Sequence, residues 1–205
     1  MSALKYSVAL AAILVSSAAF ADDLTVRDLS VEQAPVAAIT SPHAGQLATT
    51  IVADRPDATY AIGETVRLTV TGNEDSYVTV LDVGPTGAVT ELFPNKFQPD
   101  NHLHPGVPVE IAGPATGAHI TVGQPTGTEL IKVITSNKPI AVIPENQLSG
   151  AGPFRSLEGG VRTMTRDLSV VADQPPSNDT LIAFANYALY TIPSRTPAAV
   201  TVVRN

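Results

Sequence analysis

The segment TVRLTVTGNEDSYVTVLDVGPTGAVTEL, Thr65 to Leu92, decides the fold. Val66, Leu68 and Val70 alternate with Arg67, Thr69 and Thr71, the two-residue period of a strand with one buried face. Ser76 to Val83 is apolar on both sides, as a central strand is. Gly72-Asn73 and Gly84-Pro85-Thr86-Gly87 punctuate the runs, because Gly and Asn adopt positive φ at little cost. AVTEL then returns from the second turn, which completes a hairpin with a four-residue connection.

Outward from this hairpin, similar runs predict strands at Val107–Ile111, Ala118–Val122 and Thr128–Ser136. Thr49–Asp57 reads as a first strand, with Leu24–Gln33 alternating as an edge partner. Thr180–Ile192 reads as a long strand, and AVTVV near the C-terminus adds a short one, so C-terminal strands fall within 180–203. Strands about ten residues apart with Gly/Pro turns predict a mainly β fold, an immunoglobulin-like antiparallel β-sandwich. One segment breaks the rhythm. Phe154, Leu157, Val161, Met164, Leu168 and Val171 lie at helical spacing, and Pro153 suits a first turn. They predict one packed α-helix over about 154–171, with a late or irregular start because Gly159-Gly160 costs roughly 1 kcal/mol per glycine. RDLSV occurs at Arg27–Val31 and Arg166–Val170, but a five-residue echo with unmatched flanks defines no repeat.

The N-terminus has a different character. Residues 1–21 hold Lys5, an apolar run and an Ala19-Phe20-Ala21 ending, the form of a cleavable signal peptide with cleavage after Ala21. The run is too short for a bilayer, and no later segment reaches the roughly 18 to 20 apolar residues that a span needs. The expected product is a periplasmic or secreted chain. Residues 22–48 read as a partly ordered N-terminal arm, and 49–205 as one sandwich domain.

Composition narrows the chemistry. There is no cysteine, which removes thiol catalysis, thiolate metal sites and disulfide scaffolds together. The formal net charge is -7 and the twelve basic residues are scattered, which argues against nucleic acid as a partner. No tryptophan is present to build a sugar-stacking platform.

From Tyr60 onward the chain resembles a bacterial family, domain of unknown function 4384. The resemblance rests on Tyr60, Gly63-Glu64, Tyr77, Leu81, Gly87, Leu92-Phe93-Pro94-Asn95, Gly106, Pro125, Gly127 and Glu129, over roughly residues 60 to 136. Ser76 stands where a glycine is common before the tyrosine. The resemblance implies an exported bacterial protein and carries over no catalytic residue and no cofactor.

Two candidate sites remain in ELFPNKFQPDNHLHPG, Glu91 to Gly106. Phe93, Pro94, Asn95 and Phe97 either end a strand or offer apolar anchors to a cell-envelope protein, with prolines lowering the ordering cost. Asp100, His102 and His104 fall at i, i+2 and i+4, so an extended backbone points all three one way, toward Zn²⁺ or Cu²⁺. His119 or Glu110 would supply a fourth ligand. Glu64 and Glu129 read as turn carboxylates, and no serine sits in a nucleophile context. The expected role is a non-catalytic partner-binding module, with a metal-binding protein or a cell-wall glycan-binding module as alternatives.

Overall fold

The computed structural model describes residues 28–43 and 45–194. The expected signal peptide and the short strand at 199–203 lie outside the described residues. The described chain carries two α-helices, α1 (Ala34–Ala37) and α2 (Gly160–Asp173). Its strands are β1 (Thr49–Ala53), β2 (Thr59–Ala61), β3 (Thr65–Val66), β4 (Leu68–Gly72), β5 (Ser76–Val83), β6 (Val89–Phe93) and β7 (His102–Leu103). They continue as β8 (Val109–Ile111), β9 (Ile120–Thr121), β10 (Gly127–Ser136), β11 (Leu148–Ser149), β12 (Arg155–Leu157) and β13 (Ile182–Ile192).

The fold is mainly β and sandwich-like, with one packed helix, as the sequence predicts. A large sheet runs β11-β12-β6-β5-β10-β13-β2, with β7 also paired to β5. A small sheet, β1-β4-β8, packs on one face, and α2 with the N-terminal segment packs on the other. Pairing is antiparallel except between β13 and β2, which run parallel. The alternation sorts residues to the two faces. Val78 and Val80 of β5 join Leu68 and Val70 of β4 in the core beneath the small sheet, while Leu81 and Val83 meet Met164 and Leu168 of α2.

The expected strand at 65–71 divides at Arg67. β3 pairs with β9, whereas β4 pairs with β1 and β8, yet Val66, Leu68 and Val70 all stay buried as the period requires. In β6, Val80 faces Phe93 while Leu81 faces Glu91, so Leu92 is an extra residue, a β-bulge. The bulge turns two consecutive residues, Leu92 and Phe93, into the same core.

The helix expected over about 154–171 begins only at Gly160. Arg155 and Ser156 pair with Glu91 and Thr90 of β6, and Phe154 packs against the opposite core. Gly159 (φ 78) and Gly160 (φ 55) then make the turn in left-handed geometry, where a side chain at Gly160 would meet the Gly87 carbonyl at 2.5 Å. That carbonyl accepts the Val161 N–H at 2.9 Å, which docks the β5–β6 turn on the start of α2.

Asp28 to Gln33 forms turns leading into α1 rather than the strand expected there. The N-terminal segment crosses the large sheet. Gln33 Nε2 donates to the Val83 and Thr128 carbonyls at 2.7 Å each, and Val36 is fully buried. Beneath it Lys132 is fully buried, with Nζ donating to the Ile39 carbonyl at 3.1 Å and lying 5.1 Å from the Phe184 ring centre. Burial lowers its pKa to about 8. Between that value and 10.5 the unfolded chain binds more protons, so stability rises with pH across this window. The expected result is a parent protein that gains stability from pH 8 to 10, and a Lys132→Met variant that lacks this gain. Urea titrations at both pH values measure it; equal gains in both proteins would contradict the buried-amine assignment.

Candidate functional site

The residues singled out in the sequence separate into three places. Phe93 is 1% exposed and belongs to the core between the sheets. It presents no face to a partner, so of the two readings left open for Phe93 the burial supports the end of a strand and corrects the anchoring one. Asn95 is also buried, and its side chain organises the turn: Nδ2 donates to the Leu92 carbonyl, and Oδ1 accepts the N–H groups of Phe97 and Gln98. Phe97 is 51% exposed and keeps an accessible ring.

Pro94, with Lys96 and Pro99, instead lines one wall of an open groove of about 530 Å³. The far wall is Gly150 to Pro153, with Glu145 and Arg155 at the rim. The Lys96 N–H donates to the Pro153 carbonyl at 3.1 Å and fixes the walls to each other. Arg155 is held by buried Glu91, at 2.6 Å through Nη2 and 3.0 Å through Nε, and also by Glu145. Burial raises the Glu91 pKa, and Arg155 opposes that rise.

The second place is the start of β5 beside β7. Ser76 pairs with Leu103 and Tyr77 with His102, so one further step sets Asp75 opposite His104. Leu103 and Ser76 point inward and are fully buried, which turns Asp75, Tyr77, His102 and His104 to the other face. His104 Nδ1 lies 3.1 Å from Asp75 Oδ1, and His102 Nε2 lies 3.6 Å from the same oxygen. The carboxylate is therefore Asp75 rather than Asp100. Asp100 is committed elsewhere, since its Oδ1 accepts the His102 backbone N–H at 3.0 Å. Neither Glu110 nor His119 joins the group.

The third place was missed. Asp82 and Glu129 project from β5 and β10 into the sandwich, beside a cavity of about 60 Å³ lined also by Tyr60, Leu92 and Thr191. Asp82 Oδ1 is sealed from solvent and has no hydrogen-bond partner, although part of the residue remains accessible. Burial first, then the charge of Glu129, pushes the Asp82 pKa well above the usual carboxylate range. Glu129 is raised by burial and lowered by its hydrogen bond with Asp82. Burial and the closeness of the two acids thus favour a proton kept on the Asp82–Glu129 pair above the usual carboxylate range. The available signal was an acid at the inward parity of an apolar strand. Glu129 is not the turn carboxylate expected, whereas Glu64 is: its Oε2 accepts the Ala61 N–H at 2.8 Å and pairs with Arg55.

Residues 59–139 match the family model described as Domain of unknown function (DUF4384), which bears out the resemblance read over residues 60 to 136. No curated protein and no solved structure matches the chain.

Proposed function

We propose that this chain, whose residues 59–139 carry the domain of unknown function, is an exported, non-catalytic envelope protein that binds an extended segment of another envelope protein. The groove between Pro94–Pro99 and Gly150–Pro153 carries the reading. Proline rings offer apolar surface without N–H donors, so an apolar side chain fits there without leaving a polar group unpaired. Lys96 in the lining suits an acidic residue beside it. The walls are already tied together, which lowers the ordering cost of binding. Export rests on the sequence of residues 1–21, and among the described residues no helix is long and apolar enough to cross a membrane.

A photocrosslinking residue at position 151 should capture one defined envelope protein in cells, and Lys96→Glu should cut that yield at least fivefold. The same crosslinker at Val170, on the exposed face of α2, should not capture it. Equal capture from both positions, or no effect of Lys96→Glu, would overturn the groove as the binding surface.

A further inference from the structure

We propose that Asp75, His102 and His104 form a reversible site for a divalent transition-metal ion, Zn²⁺ or Cu²⁺. This is independent of the groove and of whatever the groove binds. One donor atom from each of the three residues lies within 4.8 Å of the others. A tetrahedral ion with bonds of about 2.1 Å needs donors about 3.4 Å apart, so closure takes only small rotations of side chains already facing one another. Two imidazoles and one carboxylate suit zinc and copper; calcium and magnesium prefer all-oxygen shells.

The scaffold beneath these residues is fixed on both sides. The Val78 N–H donates to the Asn101 carbonyl at 3.0 Å, and Asn101 Nδ2 donates back to the Val78 carbonyl at 3.0 Å. After the histidines, the Gly106 N–H donates to the Gly72 carbonyl at 2.9 Å and the Val107 N–H to the His104 carbonyl at 3.1 Å. On the other strand, Ser76 Oγ donates to the Glu74 carbonyl at 3.0 Å, and the Asn73 N–H donates to the Ala48 carbonyl.

The rings are oriented as well as brought close. The Tyr77 ring centre lies 5.0 Å from that of His102, and the His102 and His104 rings meet edge to face at 4.7 Å. Side-chain exposure is 66% for Asp75, 67% for His104 and 29% for His102. An ion would reach the site directly from solvent and keep water on its remaining positions. The exchange would therefore be reversible, and the ion would not serve as a buried structural clasp.

The test uses the purified protein without a polyhistidine tag, titrated with ZnCl₂ by calorimetry and with CuSO₄ by electron paramagnetic resonance. The expected result is one ion per chain, with copper bound more tightly than zinc and its spectrum showing two coupled nitrogens. His102→Ala and His104→Ala should each weaken binding at least tenfold and leave one coupled nitrogen. Asp75→Asn should weaken it about threefold to tenfold. Asp100→Asn keeps its backbone hydrogen bond and should change affinity less than twofold, as should His119→Ala. Failure to bind either ion at one equivalent, or unchanged binding in the His102→Ala/His104→Ala double variant, would overturn the site. An Asp100→Asn loss equal to that of Asp75→Asn would overturn its composition. The exposed His104 supplies the variant least exposed to folding defects, checked by an unchanged melting temperature without metal.

Discussion

Phe93→Ala is expected to lower the free energy of unfolding by about 3–5 kcal/mol, the range for truncating a buried aromatic side chain. The ring is 1% exposed and packs among the buried side chains between the two sheets. It reaches that position because the bulge at Leu92 shifts the parity of β6. Its loss leaves a void that neighbouring strands cannot close without breaking their own pairing. Phe97→Ala, at a half-exposed ring, should stay within about 0.5 kcal/mol of the parent. Urea denaturation of both variants separates the two phenylalanines. A Phe93→Ala midpoint equal to that of the parent would remove the ring from the core.

Asp82→Asn should change the pH dependence of stability more than any surface carboxylate does. The folded Asp82 holds its proton well above the usual carboxylate range, through burial and the adjacent Glu129. From about pH 4 up to that raised value, the folded chain therefore carries more protons than the unfolded one. Stability falls as pH rises through this window, with a limiting slope of about 1.4 kcal/mol per pH unit for one proton. An asparagine can donate to Glu129 as the protonated acid does, and it cannot ionise. The variant should match or trail the parent near pH 4 and exceed it at pH 8. Chemical denaturation at pH 4, 6 and 8 gives the comparison, and parallel profiles for the two proteins would refute a proton-holding pair.

The sequence made much of the architecture legible, for identifiable reasons. Val66, Leu68 and Val70 alternate cleanly because one face of their strands meets the core and the other does not. The run at 76–83 is apolar on both sides because β5 lies between a sheet and a helix. The start of α2 was harder to see. Phe154 and Leu157 continue the helical spacing by coincidence, one packing in each core, while the paired glycines carry the actual boundary.

The histidine pair was visible as a spacing, since extended backbone sends i and i+2 to one face. Its carboxylate was not. Asp75 reaches His104 through cross-strand register, and nothing local encodes which strand lies alongside. Asp100 had the right spacing, but a residue two positions before a turning backbone N–H is drawn to that N–H. Asp82 escaped attention for a related cause. Its partner Glu129 comes from another strand, so neither residue signals the pair alone.

The order of strands in the large sheet sets a limit on how this protein can be divided. The stretch that the family model matches ends at residue 139, but β13 begins at Ile182 and inserts between β10 and β2. A fragment excised at the family boundaries would expose a ten-residue edge along β10, an invitation to intermolecular strand addition. Recognition and completeness thus part company in this chain: the stretch that the family model matches is shorter than the stretch whose strands complete the large sheet.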